Sequence, residues 1–404
     1  MIAWLVAASI GVLVGLGEPP AGSVGLVRDG AMQGWMRDGG GRVGWEVDGD
    51  VVRVVPGSGS IRTEREFGDA FIHVEFRLPR VAEQVTGQAR SNSGVYVQKR
   101  YEVQILDSYG GEPEANTCGA IYGQRAADVN ASLPAGEWQR FDIDFTAARF
   151  DEAGNKTANA RMTVRHNGVL IHDDVEVTGK TGAGQAEGPS DGPLLLQDHG
   201  NPVEFRNVWV VPTDTWVDVF DGDSIEGWVK RGGAAEYWVE DGAIVGETRP
   251  NTDNTFLCTA RDYDDFLLSL EFKVDDGLNS GVQIRSLSTP EYQNGRVHGY
   301  QVEIDPSERA WTAGIYDEAR GGWLNDLKDN QAAREAFRHG EWNHILVQAT
   351  SDRIRTWLNG VPATDLTDDT TPRGFIGLQV HGVGDRADPL QVRWRKLKIR
   401  ELSD

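Results

Sequence analysis

The sequence predicts an all-β chain of two tandem β-sandwich domains. Three observations carry that prediction: the length, strand-like alternation with little helical periodicity, and blocks of the first half that return in order in the second. At 404 residues the chain exceeds what one hydrophobic core usually serves. Its 39% hydrophobic content is that of a folded protein, and 49 Gly with 16 Pro supply the turns that many short strands require.

The repeat sets the domain organisation. Trp45-Glu-Val-Asp-Gly49 returns as Trp238-Val-Glu-Asp-Gly242, and Phe71-Ile-His-Val-Glu-Phe76 as Phe266-Leu-Leu-Ser-Leu-Glu-Phe272 with one residue inserted. Asn92-Ser-Gly-Val95 matches Asn279-Ser-Gly-Val282, and Tyr101-Glu-Val-Gln-Ile105 matches Tyr300-Gln-Val-Glu-Ile304. Gly136-Glu-Trp138, Asn167-Gly168 and Gln197-Asp-His-Gly200 reappear as Gly340-Glu-Trp342, Asn359-Gly360 and Gln379-Val-His-Gly382. Val211-Pro-Thr-Asp-Thr215 ends a strand-like run in Pro and small polar residues, so the repeats are placed at 24–212 and 216–404.

Within each repeat the strands show period two. In Ile72-His-Val-Glu-Phe-Arg-Leu78, Ile72, Val74, Phe76 and Leu78 face one way and His73, Glu75 and Arg77 the other. Tyr101–Ile105, Arg161–Arg165 and Val203–Val210 alternate likewise, and Asn167-Gly168 is a hairpin turn signal. Trp323 to Phe337 is the one stretch with helical spacing, so each repeat reads as two antiparallel sheets packed face to face. Trp45, Trp138 and Trp209 read as core residues.

Residues 1–17 are uncharged and apolar, and polarity returns at Glu18-Pro19-Pro20. The run is short for a membrane span and reads as an export signal, which would make the protein periplasmic or extracellular, with no membrane association beyond that segment. A retained anchor is the competing reading. Sixty-two acidic against 40 basic residues give a formal charge of −22, which repels nucleic acid. Cys118 and Cys258 fall in different halves, so no disulfide framework holds either domain.

Alternation places Glu75 and Arg77, Tyr96 and Gln98, Glu102 and Gln104, and Gln197 and His199 on polar faces of the first repeat, with Arg285, Gln301, Glu303 and His381 in the second. Planar bidentate side chains beside aromatic rings suit the paired hydroxyls and C–H faces of sugars. Any half-solvated sheet also alternates, but its wet face is usually Thr, Ser and Lys rather than Glu, Gln, Arg, His and Tyr. No zinc spacing, phosphate loop, nucleophile elbow or dinucleotide fingerprint occurs.

Asn92-Ser-Gly-Val-Tyr-Val-Gln98, Tyr101-Glu-Val-Gln-Ile-Leu-Asp107, Cys118-Gly-Ala-Ile-Tyr122, Gly136-Glu-Trp138, His166-Asn-Gly168 and Leu196-Gln-Asp-His-Gly-Asn-Pro-Val203 together resemble the 3-keto-disaccharide hydrolase family. The second repeat resembles it less: the acid after Gln379 is missing, and Gln301 and Glu303 reverse the order of Glu102 and Gln104. The resemblance implies concanavalin-like jelly-roll sandwiches in an exported glycoside-cleaving hydrolase, with a non-catalytic lectin-like carbohydrate binder as the alternative. It implies Glu102 or His199 as base, and Arg77 or a bound divalent metal as enolate stabiliser. Asp107 joins them as a catalytic candidate. Glu75, Tyr96, Gln98, Gln104, Tyr122, Gln197, Arg285, Gln301, Glu303 and His381 are the expected substrate ligands. Glu102, Asp107 and His199 are the expected cation ligands if a metal is used.

Overall fold

The computed structural model describes residues 18–26 and 31–402; the apolar segment 1–17, read above as an export signal, lies outside them. Each repeat folds as a two-layer antiparallel sandwich. In the first, a back sheet runs through Val169–Val177, Ala160–His166, Trp138–Thr146, Ala70–Arg77, Glu204–Pro212, Val51–Arg53 and Glu46–Asp48. The front sheet runs through Trp35–Arg37, Ile61–Thr63, Leu195–Leu196, Ser93–Val97 and Tyr101–Ile105. Val74, Phe76, Phe141 and Phe205 of the back sheet meet Val95, Val97, Val103 and Ile105 of the front in one apolar core. Asn167 and Gly168, at φ 54° and 79°, turn a hairpin in which His166 faces Val169. Both turn residues stand in the left-handed region that a two-residue hairpin loop demands.

The second repeat is built the same way. Its back sheet centres on Gln391–Glu401, Phe266–Val274 and Asn343–Thr350, and its front sheet on Thr255–Tyr263, Gly374–Val380, Ser280–Leu287 and His298–Ile304. The helix expected over Trp323–Phe337 is confined to Gln331–Glu335, with Asn330 capping it by accepting the Ala333 N–H. Gly322–Asn325 is instead an edge strand, because Trp323 pairs with Tyr316 of the neighbouring strand. Trp45 and Trp209 are buried, while Trp138 is half-buried beneath the guanidinium groups of Arg77 and Arg206. Both cysteines are buried free thiols.

The two back sheets pack against each other, so the layers run front, back, back, front. Phe71, Trp209 and Val211 form an apolar cluster with Leu267, Leu346 and Trp357 of the second domain, and the Phe71 ring stacks on His344 at 4.9 Å. Around that patch lie charges. Arg165 donates to Glu271 at 2.6 Å with both side chains almost fully buried, Arg395 reaches the other oxygen of Glu271 at 2.6 Å, and Arg395 also pairs with Asp173 at 2.9 Å. Arg140 and Arg338 donate to the carbonyls of Asn359 and Asn167 across the seam.

This packing overturns part of the expected polar face. His73 and Glu75 project toward the seam, away from the front sheet. His73 is fully buried and bonds Asp142 at 2.7 Å; burial opposes its charge, but Asp142 and then Glu75 outweigh it and lift the imidazole to about 9. Glu75 is held by Arg206 at 2.6 Å and Asn207 at 2.9 Å, and Arg77 by Glu204 at 2.5 Å. All three leave the back sheet on the side opposite the front groove.

Removing one member of a buried ion pair leaves the others uncompensated, at a cost of about 3–5 kcal/mol. Burial opposes the charge of Glu271, but Arg165, Lys396 and Arg395 outweigh it and hold the carboxyl far below its usual range. Its contribution is therefore present above the unfolded carboxylate value and lost only as pH falls through that depressed pKa. Glu271→Leu is expected to cost about 3–5 kcal/mol, measured by denaturant unfolding at pH 7, and to split a joint transition of the two domains into two.

Candidate active site

Strand parity builds a second polar surface on the front sheet of the first domain. Val95 and Val97 enter the core, so Gly94 and Tyr96 face outward; Tyr101, Val103 and Ile105 enter it, so Glu102 and Gln104 face outward. The register sets Tyr96 opposite Glu102 and Gly94 opposite Gln104. Gln197 follows the neighbouring strand, its N–H bonded to the Gly94 carbonyl. The structure thus brings Tyr96, Glu102, Gln104 and Gln197 together.

The Tyr96 hydroxyl donates to Glu102 Oε2 at 2.7 Å and accepts from Gln197 Nε2 at 3.3 Å. Gln197 Oε1 is buried with no protein partner. Gln104 Nε2 donates to Gln88 Oε1 and Asn92 Oδ1, each at 3.2 Å. Glycine at 94 is required here: a Cβ would lie 2.4 Å from Glu102 Oε1, so the carboxylate occupies the space that a side chain would fill. A segment following the Val169–Val177 strand crosses the open edge. Thr181 accepts the Glu102 N–H at 2.7 Å, and Gly182 packs between the Tyr122 ring and Glu102 Oε2.

Under this cover Glu102 is a carboxyl with one side-chain donor. Burial raises it to about 7, and the Tyr96 bond pulls the other way. Burial first, and then the adjacent Glu102, push the Tyr96 phenol well up, so it stays a donor. A buried carboxyl poised near neutrality suits a general base.

Other expected site residues stand elsewhere. Gln98 sits at φ 52° after its strand, and its amide is taken up by the Phe67 carbonyl and Arg100. Asp107 is paired with Arg90 at the strand end. His199 lies exposed two residues beyond Gln197, with no hydrogen bond or ion pair holding its ring. In the second domain Arg285 is fully buried and bound to Asp265 and to the carbonyls of Asp264 and Ser351. Gln283, Gln301, Glu303 and Asn279 form a closed chain of bonds at 2.6–2.8 Å. Burial raises Glu303 to about 7 while Asn279 and Gln301 pull down. His381 bonds the Gly382 carbonyl. No group of three or more His, Cys, Asp or Glu among the described residues is placed to hold a metal ion, and Glu102, Asp107 and His199 are not gathered. Sequence reasoning missed Gln88 and Thr181, which lie outside any alternating strand.

Titration of side-chain-labelled Glu by NMR is expected to show Glu102 with a midpoint near 7. Because the Tyr96 bond lowers that value, Tyr96→Phe is expected to move the midpoint higher; a downward move contradicts the assignment.

The 3-keto-alpha-glucoside-1,2-lyase-like domain model matches residues 24–211 and again 215–400. No curated protein matches. Among solved structures, a candidate glycosyl hydrolase from Parabacteroides distasonis is 34% identical, covering 48% of this chain and 84% of its own, with a TM-score of 0.43. A carbohydrate binding module from Bacillus subtilis is 16% identical over 43% of this chain and 96% of its own, at 0.30. A β-glucanase from Bacillus licheniformis is 11% identical over 46% and 97%, at 0.32. With both halves matched, the chain belongs to the 3-keto-alpha-glucoside-1,2-lyase-like family and carries its domain in two tandem copies.

Proposed function

We propose that the first domain cleaves 3-keto-glycosides, with Glu102 as the base. The carrying observation is a buried, singly bonded carboxylate near neutrality on the front face of a domain of this family. A ketone at C3 acidifies the proton on C2. Glu102 takes that proton, the C2–H electrons form the enolate, and their return to the ring expels the C1 oxygen. The departing oxygen gains a proton, and water then adds across the new double bond to give 3-keto-glucose and the free alcohol.

Tyr96 bridges Glu102 and Gln197. Once Glu102 is protonated, the Tyr96 hydrogen is released from a carboxylate and turns to the enolate oxygen, a part that Arg77 cannot play from the far sheet. Gln197 Oε1, lacking a protein partner, and Gln104 take sugar hydroxyls. Tyr122 supplies an apolar ring at the edge. Export to the periplasm or beyond, by the leader at 1–17, accords with a glycan substrate.

The test is incubation with a methyl 3-keto-glucoside, following free 3-keto-glucose. Glu102→Gln is expected to lower kcat by about 10²–10⁴ with the fold retained by circular dichroism. Wild-type kcat/KM is expected to rise with pH through about 7 as Glu102 ionises. Binding without turnover overturns the enzymatic reading in favour of a lectin-like one.

A further inference from the structure

The second domain keeps a different opening on its front face. A cavity of about 630 Å³ is lined by Asn254, Phe256, Arg296, Val297, Glu318 and Gly382. Phe256 and Val297 line it and, with Cys258 and Phe375, form a small cluster apart from the core on the outer face of the sheet. Its rim is planar and polar. Glu318 is largely buried, 3.9 Å from Arg296, and Asn254 fixes the Gly382 N–H at 3.0 Å. Burial raises the Glu318 carboxyl, while Arg296, His381 and Asn254 counter it.

A second observation is independent of the cavity. Gln379 is fully buried, and neither its amide nitrogen nor its oxygen has a partner. It faces outward, since Leu378 and Val380 enter the core, and it stands directly opposite Phe256 in register. Gln197 holds the corresponding place in the first domain, and it too keeps an unpartnered amide oxygen. Orphaned buried amide groups are rare in folded proteins and call for a partner. A sugar's adjacent hydroxyls offer a donor and an acceptor at once.

We propose that this cavity is a separate saccharide-binding site, formed by Asn254, Arg296 and Glu318 beside Phe256, with Gln379 behind it on the neighbouring strand, which binds independently of the first domain. It opens on the opposite side of the molecule, because the two back sheets lie between the two fronts. With packed sheets about 10 Å apart, the two faces stand roughly 30 Å apart and point away from each other. One short oligosaccharide cannot serve both; the protein holds one glycan while the first domain engages another. The residues that correspond to Glu102 and Tyr96 take no part, since Gln301 and Gln283 are bonded to each other.

Calorimetric titration of the intact protein with cellohexaose and with maltohexaose tests this. Binding of at least one is expected, weakened tenfold or more by Arg296→Ala and by Asp253→Trp, which place changes at an exposed rim, and unaffected by Glu102→Gln. Both rim variants are expected to keep wild-type release of 3-keto-glucose. Absence of binding to either sugar, binding indifferent to both rim variants, or binding lost with Glu102→Gln overturns the proposal. Failure of 3-keto-glucoside turnover alone bears only on the first domain.

Discussion

A two-layer sandwich has two outer faces, and in this protein one face of each domain is spent on the other domain. Burial of Phe71 and Trp209 against Leu346 and Trp357 supplies the non-directional attraction. The charged ring of Arg165, Glu271, Arg395 and Asp173 supplies register, because a displaced domain would strand a buried carboxylate among mismatched groups. Gly360 shows how close the approach is: a Cβ there would come within 2.2 Å of Asp142 of the first domain. That seam leaves the two front sheets open on opposite sides of the molecule.

On those fronts the repeats diverge by a simple exchange. Glu102 and Gln104 become Gln301 and Glu303, which moves the carboxylate two residues along the strand, about 7 Å at strand rise. In the first domain the carboxylate lies over Gly94 with one phenolic donor. In the second the space over Gly281 is filled by the Gln301 side chain, and Glu303 has two amide donors. A carboxylate satisfied twice from within the protein has less to offer a substrate than one satisfied once.

Much of the fold was legible in the sequence because period two is imposed by the backbone itself. Tyr101–Ile105 and the Asn167-Gly168 hairpin need nothing beyond local pattern. Period two reports that a strand has two faces; it does not report which sheet the strand joins. His73, Glu75 and Arg77 alternate as cleanly as Tyr96, Glu102 and Gln104, yet they belong to opposite layers. Parity also fails at irregular backbone. The register slips between Ile284 and Leu287, and Arg285, at φ 44°, turns from the expected face to bind Asp265. Gln98 leaves its strand in a turn conformation and is lost to the face for the same reason. The cover over Glu102 has no period at all, so nothing in the pattern marked Thr181 as its partner.

The back-to-back arrangement also dictates how each groove acquires its chemistry. A shared cleft between domains would let one domain desolvate a group on the other, but the fronts never meet. Glu102 therefore owes its burial to its own domain, through Thr181, Gly182 and the Tyr122 ring. Phe256 of the second domain is likewise covered by its own Val297. Desolvation is what raises the Glu102 carboxyl toward neutrality, so that shift is set inside residues 24–212 and owes nothing to the partner domain's front. The second copy carries Gln283 and Gln301 in place of the tyrosine–glutamate pair, and they bond each other.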